Sequence, residues 1–198
     1  MKEKGFALVE AVIVVAILVV LSATVVPLVF VAMRRSQLNA CAQQLAAHFR
    51  YARSLAIARN LNGTNVLEQV IFTPPDGSST EQSYQVCRDT AACASASREK
   101  DPLDPTKELY IIMRDSTGKT GRSEWDGITI STVQFPIGNS QRAVYFDRNG
   151  GAVSVFGTPL QDGVGVHTSG IVTLKNKSNQ TISVYVAPDT GEIYVEEP

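Results

Sequence analysis

Apolar and polar residues divide the chain into an apolar start, an amphipathic middle and an alternating remainder. From Ala11 to Met33 no side chain is charged, and most residues are Val, Ile, Leu or Ala. A helix rises about 1.5 Å per residue, so this run reaches roughly 34 Å, enough to cross a bilayer core of about 30 Å. The pattern therefore predicts a transmembrane helix.

The helical pattern continues beyond the apolar run. Asn60-Leu-Asn-Gly63 offers residue types that take the left-handed conformation in which helices end. Before this point, apolar residues recur at steps of three and four, which is typical of an amphipathic helix. This stripe comprises Leu38, Cys41, Leu45, Phe49, Ala52, Leu55 and Ala56.

Pro27 interrupts the hydrogen-bonding pattern of the predicted helix. It has no backbone N–H and crowds the carbonyl of Ala23, so we expect a bend or local unwinding there. The hydroxyls of Ser22 and Thr24 are expected to help satisfy the freed backbone groups.

From residue 65 onward the hydrophobic period changes to two, and turn clusters separate short alternating runs. Residues 94–107 are polar and are expected to form an exposed, mobile insertion. The fold class predicted is α+β, with antiparallel sheets packed on the apolar face of the helix. The predicted strands are Val66–Thr73, Gln82–Cys87, Leu109–Arg114, Ile128–Phe135, Ala143–Asp147, Val153–Phe156, Ile171–Lys175, Thr181–Ala187 and Glu192–Glu196.

Charge and cysteine content narrow the function classes. The formal net charge is -1, which argues against general electrostatic capture of nucleic acid. Cys87 and Cys93 bracket a short polar segment and could close a disulfide in an oxidising compartment. Cys41 lies on the helix stripe and is predicted to be a small buried apolar residue.

No constellation of residues suited to catalysis or cofactor binding stands out, so we expect no enzyme activity and no cofactor. His48 and His167 are widely separated, which gives no support for a Ser-His-Asp arrangement or a zinc site. Several aspartates carry oxygen ligands of the kind calcium takes, but none shows the dense spacing of a calcium loop, and no metal is expected. They are Asp101, Asp104, Asp115, Asp126 and Asp147.

Glu10 is a single carboxylate near one end of the apolar run. An ionisable group there costs at least about 2.5 kcal/mol, so it should have a partner. Cleavage between Gly5 and Phe6 would supply one, because the new amine of Phe6 lies one helical turn before Glu10. The alternative is an uncleaved signal anchor with a tolerated glutamate.

Gly5, Phe6, Glu10 and Pro27 together resemble the type III signal of type IV pilins and type II secretion pseudopilins. Ala7 departs from the Thr or Ser common after the first mature residue. Two further stretches resemble GspH/FimT-type minor pseudopilins, and residues 73–140 are not covered by this likeness. These stretches are Arg50–Asn60 and the closing strands with their turns, from Val144 to Ile193.

The resemblance implies a pilin fold and a processing pathway. Residues 1–5 would be a leader that a prepilin peptidase removes after Gly5, and the new amine of Phe6 would be methylated. Residues 6–33 would form the transmembrane and assembly helix. Residues 34–198 would form a periplasmic domain, with an amphipathic helix over 34–61 and a β-rich part over 65–198.

The function implied is that of a structural minor pilin or pseudopilin, in the inner membrane and then in a pseudopilus or pilus, at or near its tip. Its partners would be other pilin subunits and the peptidase. Glu10 would neutralise the Phe6 amine during assembly. A type II secretion system, a type IV pilus and a transformation pilus all remain open as the machine.

Two other functions are compatible with parts of the sequence. One is a FimT-like DNA-binding minor pilin for natural transformation, which the acidic C-terminal tail disfavours. The other is a membrane-anchored enzyme or receptor, which leaves the N-terminal motif unexplained. The helix arginines have three interpretations: a solvated face, contact of the first two with lipid phosphates, or pairing with acidic neighbouring subunits. They are Arg34, Arg35, Arg50, Arg53 and Arg59.

Overall fold

The computed structural model describes residues 3–60 (side chains from 9 to 59), 68–73, 82–88, 98–114, 125–135, 143–147, 149–153, 170–187 and 190–197. These residues form one helix and nine strands. The chain divides into two compact units, residues 1–36 and residues 37–198. The fold class is α+β, as the sequence predicts.

The helix, α1, spans Glu3–Asn60 and ends where the Asn- and Gly-containing sequence predicts. Pro27 lies inside α1 and helical structure continues on both sides, so the expected local unwinding is wrong, and the alternative expectation of a bend stays a prediction. Helices in lipid tolerate proline in this way because local adjustments satisfy the freed groups.

The hydrogen bonds of the two hydroxyls near Pro27 also differ from expectation. Ser22 Oγ donates to the carbonyl of Leu18 at 2.7 Å, and Thr24 Oγ1 donates to the carbonyl of Leu21 at 2.9 Å. A helical hydroxyl reaches carbonyls three or four residues earlier in the chain. Neither hydroxyl therefore serves the carbonyl of Ala23.

Eight of the nine predicted strands are confirmed over their described residues, with described ends that differ by at most one residue, whereas the predicted strand Val153–Phe156 is described at Val153 alone, where β6 ends. The strands of the structure are β1 (Glu68–Thr73), β2 (Gln82–Arg88), β3 (Tyr110–Arg114), β4 (Ile128–Gln134), β5 (Ala143–Phe146), β6 (Ala152–Val153), β7 (Gly170–Asn176), β8 (Thr181–Val186) and β9 (Ile193–Glu196).

The strands form two antiparallel sheets. The first has five strands in the order β3-β2-β1-β5-β6, and the second has four in the order β4-β7-β8-β9. Along β7 and β8, buried residues alternate with partly exposed ones, as the period of two requires. Each sheet thus contributes one face to the core.

The core of the second unit lies between these sheets and the amphipathic half of α1. All the predicted stripe residues except Leu55, which is half-buried, are buried. Phe49 lies at the centre, with its ring 5.8 Å from that of Phe72 on β1 and 6.4 Å from that of Phe146 on β5. Helix and sheet are therefore held together chiefly by apolar contact.

Gln82 connects the two sheets. Its side-chain Oε1 accepts a hydrogen bond from the N–H of Ile130 at 3.0 Å, and its Nε2 donates to the carbonyl of Ile130 at 3.3 Å. The pairing of β4 with β7 shifts register between Ile130 and Thr132, which marks a β-bulge. The amide of Gln82 satisfies the backbone at this irregular point.

The polar insertion is mostly exposed over the part that is described, as predicted, but it is tied down at its base. Arg98 and Lys100 form isolated β-bridges with Cys87 and Glu108, and Asp101 is buried. Residues 100, 102, 103 and 105–107 are exposed, and the expected mobility stays a prediction. Residues 94–97 lie outside the described residues.

Candidate functional site

The first candidate site is the surface of α1 from Val9 to Met33, here called the apolar helix surface. Its large hydrophobic side chains are all exposed, for example Val20 at 64% and Leu28 at 70%. By length and composition this helix is able to cross a membrane, as a signal sequence near an N-terminus also is. An exposed apolar surface of this size requires lipid or protein to cover it.

The structure places the N-terminal motif on this helix. Gly5 and Phe6 belong to the first turns of α1, and only their backbone is described. Glu10 follows one turn later and is exposed. Cleavage, methylation and the pairing of Glu10 with the Phe6 amine stay predictions.

The cysteines are partly described. Cys41 forms no disulfide and is buried on α1, as expected of an apolar stripe residue. Cys87 on β2 is disulfide-bonded. Cys93 lies outside the described residues, so the predicted pairing of Cys87 with Cys93 stays a prediction.

Two of the helix arginines bind backbone carbonyls of their own subunit. Arg50 Nη2 donates to the carbonyl of Ile193 at 3.0 Å, and Arg53 Nε donates to the carbonyl of Gly150 at 3.0 Å. Arg50 is still exposed and Arg53 is half-buried, so both combine a solvated position with a contact to their own chain. Lipid contact by Arg34 and Arg35 stays a prediction.

The second candidate site is a partly buried ionic group formed by Arg59, Glu68 and Glu99, here called the Arg59 cluster. Arg59 Nη1 donates to Glu68 Oε1, and Arg59 binds Glu99 through two hydrogen bonds of 2.7 Å each. Such paired contacts are the stronger form of an ion pair. The cluster joins the end of α1, the start of β1 and residue 99.

Glu68 is the unusual member of this cluster. Its side chain is fully buried, and its second oxygen, Oε2, has no hydrogen-bond partner among the described residues. Burial raises the pKa of Glu68 to about 7, although the hydrogen bond and charge of Arg59 act to lower it. The charge of Glu99 raises it further.

The same charges shift the pKa values of two neighbouring groups, Arg59 and Tyr51. The hydrogen bond to Glu99 is the main reason that the pKa of Arg59 lies above its ordinary value. Burial, followed by the charge of Glu99, raises the pKa of Tyr51. The cluster therefore contains one permanent cation and two carboxyl groups, one of which titrates near neutral pH.

Sequence reasoning missed this cluster. It treated Arg59 as a helix surface residue and placed Glu68 inside a predicted strand, nine positions later. Glu99 fell in the insertion expected to be exposed. No sequence spacing links the three residues, because the contact depends on how β1, β2 and α1 pack.

The described residues hold no group of three or more His, Cys, Asp and Glu side chains that could bind a metal ion. Asp147 Oδ1 accepts hydrogen bonds from the N–H groups of Asn149 and Gly151, both at 2.9 Å, so it supports a turn. Asp126 Oδ1 lies 3.8 Å from Lys177 Nζ. Asp115 lies outside the residues that the structure describes.

His48 has a structural role on the buried side of α1. Its Nδ1 lies 2.7 Å from the hydroxyl of Tyr84, and both side chains are buried. A buried histidine and tyrosine that bind each other satisfy their polar atoms within the core. His167 is not among the described residues.

Comparison of the chain with protein-family models, with curated proteins and with solved structures gives no match. The fold itself is compatible with a pilin-like architecture, because a long apolar N-terminal helix precedes antiparallel sheets that pack on its amphipathic half. The features that bear on function are therefore the apolar helix surface, the N-terminal motif and the Arg59 cluster.

Proposed function

We propose that this protein is a structural subunit of the pilin class, a minor pilin or pseudopilin that assembles through its N-terminal helix. The observation that carries the proposal is the apolar helix surface, an uncharged run that follows Glu10 and extends to Met33. A helix of this kind is stable in lipid before assembly and against other helices after it.

The N-terminal motif supports the same proposal. Gly5, Phe6, Glu10 and Pro27 lie on one helix at the spacing of the pilin signal. An ordinary signal anchor requires only apolar length, so it accounts for neither the glycine before Phe6 nor the carboxylate after it. The motif connects both residues to one processing event.

Glu10 would act by charge neutralisation. After cleavage behind Gly5, the amine of Phe6 would carry a positive charge in a medium that solvates it poorly. A carboxylate in the same subunit or an adjacent one would compensate that charge. Pairing with an adjacent subunit would fix the axial position of one helix against the next.

Three arginines of α1 support a structural function more than a DNA-binding one. Arg50, Arg53 and Arg59 bind carbonyls and carboxylates of their own chain. Guanidinium groups used in this way are less available for phosphates, so the FimT-like alternative gains no support from them. Which filament system the subunit serves stays open.

Mass spectrometry of the N-terminus tests the proposal. The protein would be purified from cells with and without prepilin peptidase. We expect a chain that begins with N-methylated Phe6, formed only when the peptidase is present. Gly5→Val should block processing, and Ala7→Val, a change of similar size two residues later, serves as the control.

An intact Met1 in both strains, or peptidase-independent cleavage near Ala23, would contradict the proposal. The first result would indicate an uncleaved anchor. The second would indicate an ordinary secretory signal, whose cleavage site follows the apolar segment.

A further inference from the structure

We propose that the Arg59 cluster is a pH-sensitive latch that fastens the loop of residues 98–108, here called the latch loop, to the end of α1. The loop side of the latch is Glu99, and the helix side is Arg59. Glu68 lies at the start of β1, and its ionisation determines the strength of the ion pair between Arg59 and Glu99. This inference does not rest on the proposed function.

Glu99 lies at the base of the latch loop and connects three elements. Its backbone N–H donates to the carbonyl of Val86 on β2 at 2.9 Å, and its carbonyl accepts from the N–H of Leu109 at 2.7 Å. Its carboxylate reaches Arg59 on α1. Release of the carboxylate would therefore loosen the point where the loop joins the sheet.

Beyond its base, the latch loop is held by local contacts of its own. Asp101 Oδ1 accepts from the N–H of Leu103 at 2.9 Å, and Asp104 Oδ1 accepts from Thr106 Oγ1 at 2.5 Å. Lys107 Nζ lies 2.9 Å from Asp104. These contacts form small turns that do not depend on the cluster.

Leu103 at the tip of the latch loop is 93% exposed. Because the turns hold the tip together, a change at the base would move or free the tip as a unit. The latch would thereby control how rigidly this apolar side chain is presented, and rigidity reduces the entropy lost in any contact that it makes.

The charge balance of the cluster gives the direction of the effect. When Glu68 is protonated, Glu99 is the one ionised carboxylate of the cluster, and its ion pair with Arg59 is neutral. When Glu68 is ionised, two carboxylates share one guanidinium, and the buried Glu68 holds a charged oxygen that no described residue binds. The competition and the repulsion between the carboxylates weaken the bond to Glu99.

Other charged or titratable groups face the cluster from each packed element. Arg88 on β2 lies opposite Glu68 in the β1–β2 register and favours its ionised form. Tyr51 on α1 and Asp101 in the latch loop are also close enough to interact. The charge of Asp101 contributes to the raised pKa of Tyr51, which stays neutral below the pH range in which phenols titrate.

The test is amide hydrogen exchange of the full chain in detergent micelles at several pH values between 5.5 and 8.5. Rates are corrected for the intrinsic pH dependence of exchange. We expect the amides of Glu99 and Leu109 to open about tenfold more often at pH 8 than at pH 6. Strands β7 and β8 should show no such change.

Two substitutions and a matched control isolate Glu68. Glu68→Gln keeps the shape of the neutral acid, so exchange in the latch loop should no longer depend on pH. Glu99→Gln removes the ion pair, so exchange should be fast at both ends of the range. Glu108→Gln, which removes the ion pair of Glu108 with Arg98 at 3.0 Å, should retain the native pH response.

The native protein provides a test that needs no substitution. The carboxyl carbon of Glu68 can be titrated by NMR after labelling with carbon-13 glutamate, and its midpoint should coincide with the midpoint of loop opening. Different midpoints, a pH response preserved in Glu68→Gln, or equal opening of β7 would each overturn the latch.

Discussion

At the scale of single residues, the buried carboxyl of Glu68 couples the stability of the fold to pH. In the unfolded chain its pKa is near 4.5, and burial raises it to about 7 in the folded chain. The folded state therefore retains a proton that the unfolded state loses. The stabilisation of the folded state by this proton is fully present below about pH 4.5 and is lost as the pH rises through 7.

The first prediction concerns this pH dependence. Since one pKa unit corresponds to about 1.4 kcal/mol, the contribution of Glu68 should decline by roughly 3 kcal/mol between pH 4.5 and pH 7. In Glu68→Gln this decline should be absent. Unfolding of the full chain in detergent can be followed by the fluorescence of Trp125, the single tryptophan, which is fully buried.

The comparison of the two proteins removes the contributions of all other titrating groups. Hydrogen bonds from Thr106 lower the pKa of Asp104 to about 2 from 3.8, an effect of opposite sign on stability that is lost only as the pH falls below about 4, outside the range of the prediction. This contribution is common to the native protein and to Glu68→Gln, so their difference isolates Glu68. Parallel stability curves across pH 5 to 8 would contradict the prediction.

The second prediction concerns Gly191, where two turns approach closely. Its φ is +62°, and an added Cβ would lie 1.9 Å from the carbonyl oxygen of Gly150. That oxygen also accepts the hydrogen bond from Arg53. Gly191→Ala should therefore force the turns apart and weaken their attachment to α1.

Gly127 supplies the matched control. Its φ of +75° imposes the same backbone penalty, but an added Cβ would meet only the flexible side chain of Lys177. We expect about 1–3 kcal/mol of destabilisation in Gly127→Ala from the backbone conformation alone. Gly191→Ala should cost measurably more in a denaturant titration, and an equal cost would show that the turns are free to separate.

At the scale of elements, local sequence patterns determine the strands and the helix, and tertiary packing determines the contacts between them. The alternating burial of β7 and β8 follows directly from their alternating residues. The bond between Gln82 and Ile130 does not, because it requires the register shift in β4 and the meeting of two sheets.

The same distinction explains which site residues could be predicted. Glu10 is apparent in sequence because a charge in a long apolar run is conspicuous. Arg59 and Glu68 are not, because an arginine near a helix end and a glutamate at a strand start are common. Their significance depends on burial, which the arrangement of β1 against α1 creates.

The third prediction concerns the attachment of α1 to the first sheet. Phe49 is fully buried and its ring contacts those of Phe72 and Phe146. Phe49→Ala should destabilise the β-rich unit by about 3–5 kcal/mol, because it removes apolar contact and leaves a cavity. The measurement is thermal unfolding followed by the fluorescence of Trp125.

Gln43 is the control on the same helix. Its side chain is exposed, so Gln43→Ala should change stability by less than about 0.5 kcal/mol. If both variants unfolded at the same temperature as the native protein, the core contact of α1 would contribute little to stability. The helix would then have to be held by its polar contacts, such as that of Arg50.

At the scale of the whole molecule, the two compact units have opposite surfaces. The unit of residues 37–198 buries its large apolar side chains in one core. The unit of residues 1–36 leaves those of Val9 to Met33 exposed. A chain with this division requires an apolar environment for its first unit, whether lipid or the helices of other subunits.

The fourth prediction concerns Glu10, the charged residue that precedes the exposed apolar run of the first unit. Glu10→Ala makes the helix more apolar, so the protein should remain in the membrane and be processed normally. If Glu10 neutralises a neighbouring amine during assembly, the variant should be lost from filaments, with incorporation at least tenfold below native. Quantitative immunoblotting of membranes and sheared filaments measures both amounts.

Thr24→Ala is a suitable control because it also removes a polar group from an exposed position of the same helix. The hydroxyl of Thr24 bonds to a carbonyl within α1, so its loss should leave both membrane retention and filament incorporation unchanged. Equal incorporation of Glu10→Ala and native protein would exclude charge neutralisation by Glu10. Loss of both variants from filaments would instead indicate that assembly depends on helix packing in general and has no specific need for the carboxylate.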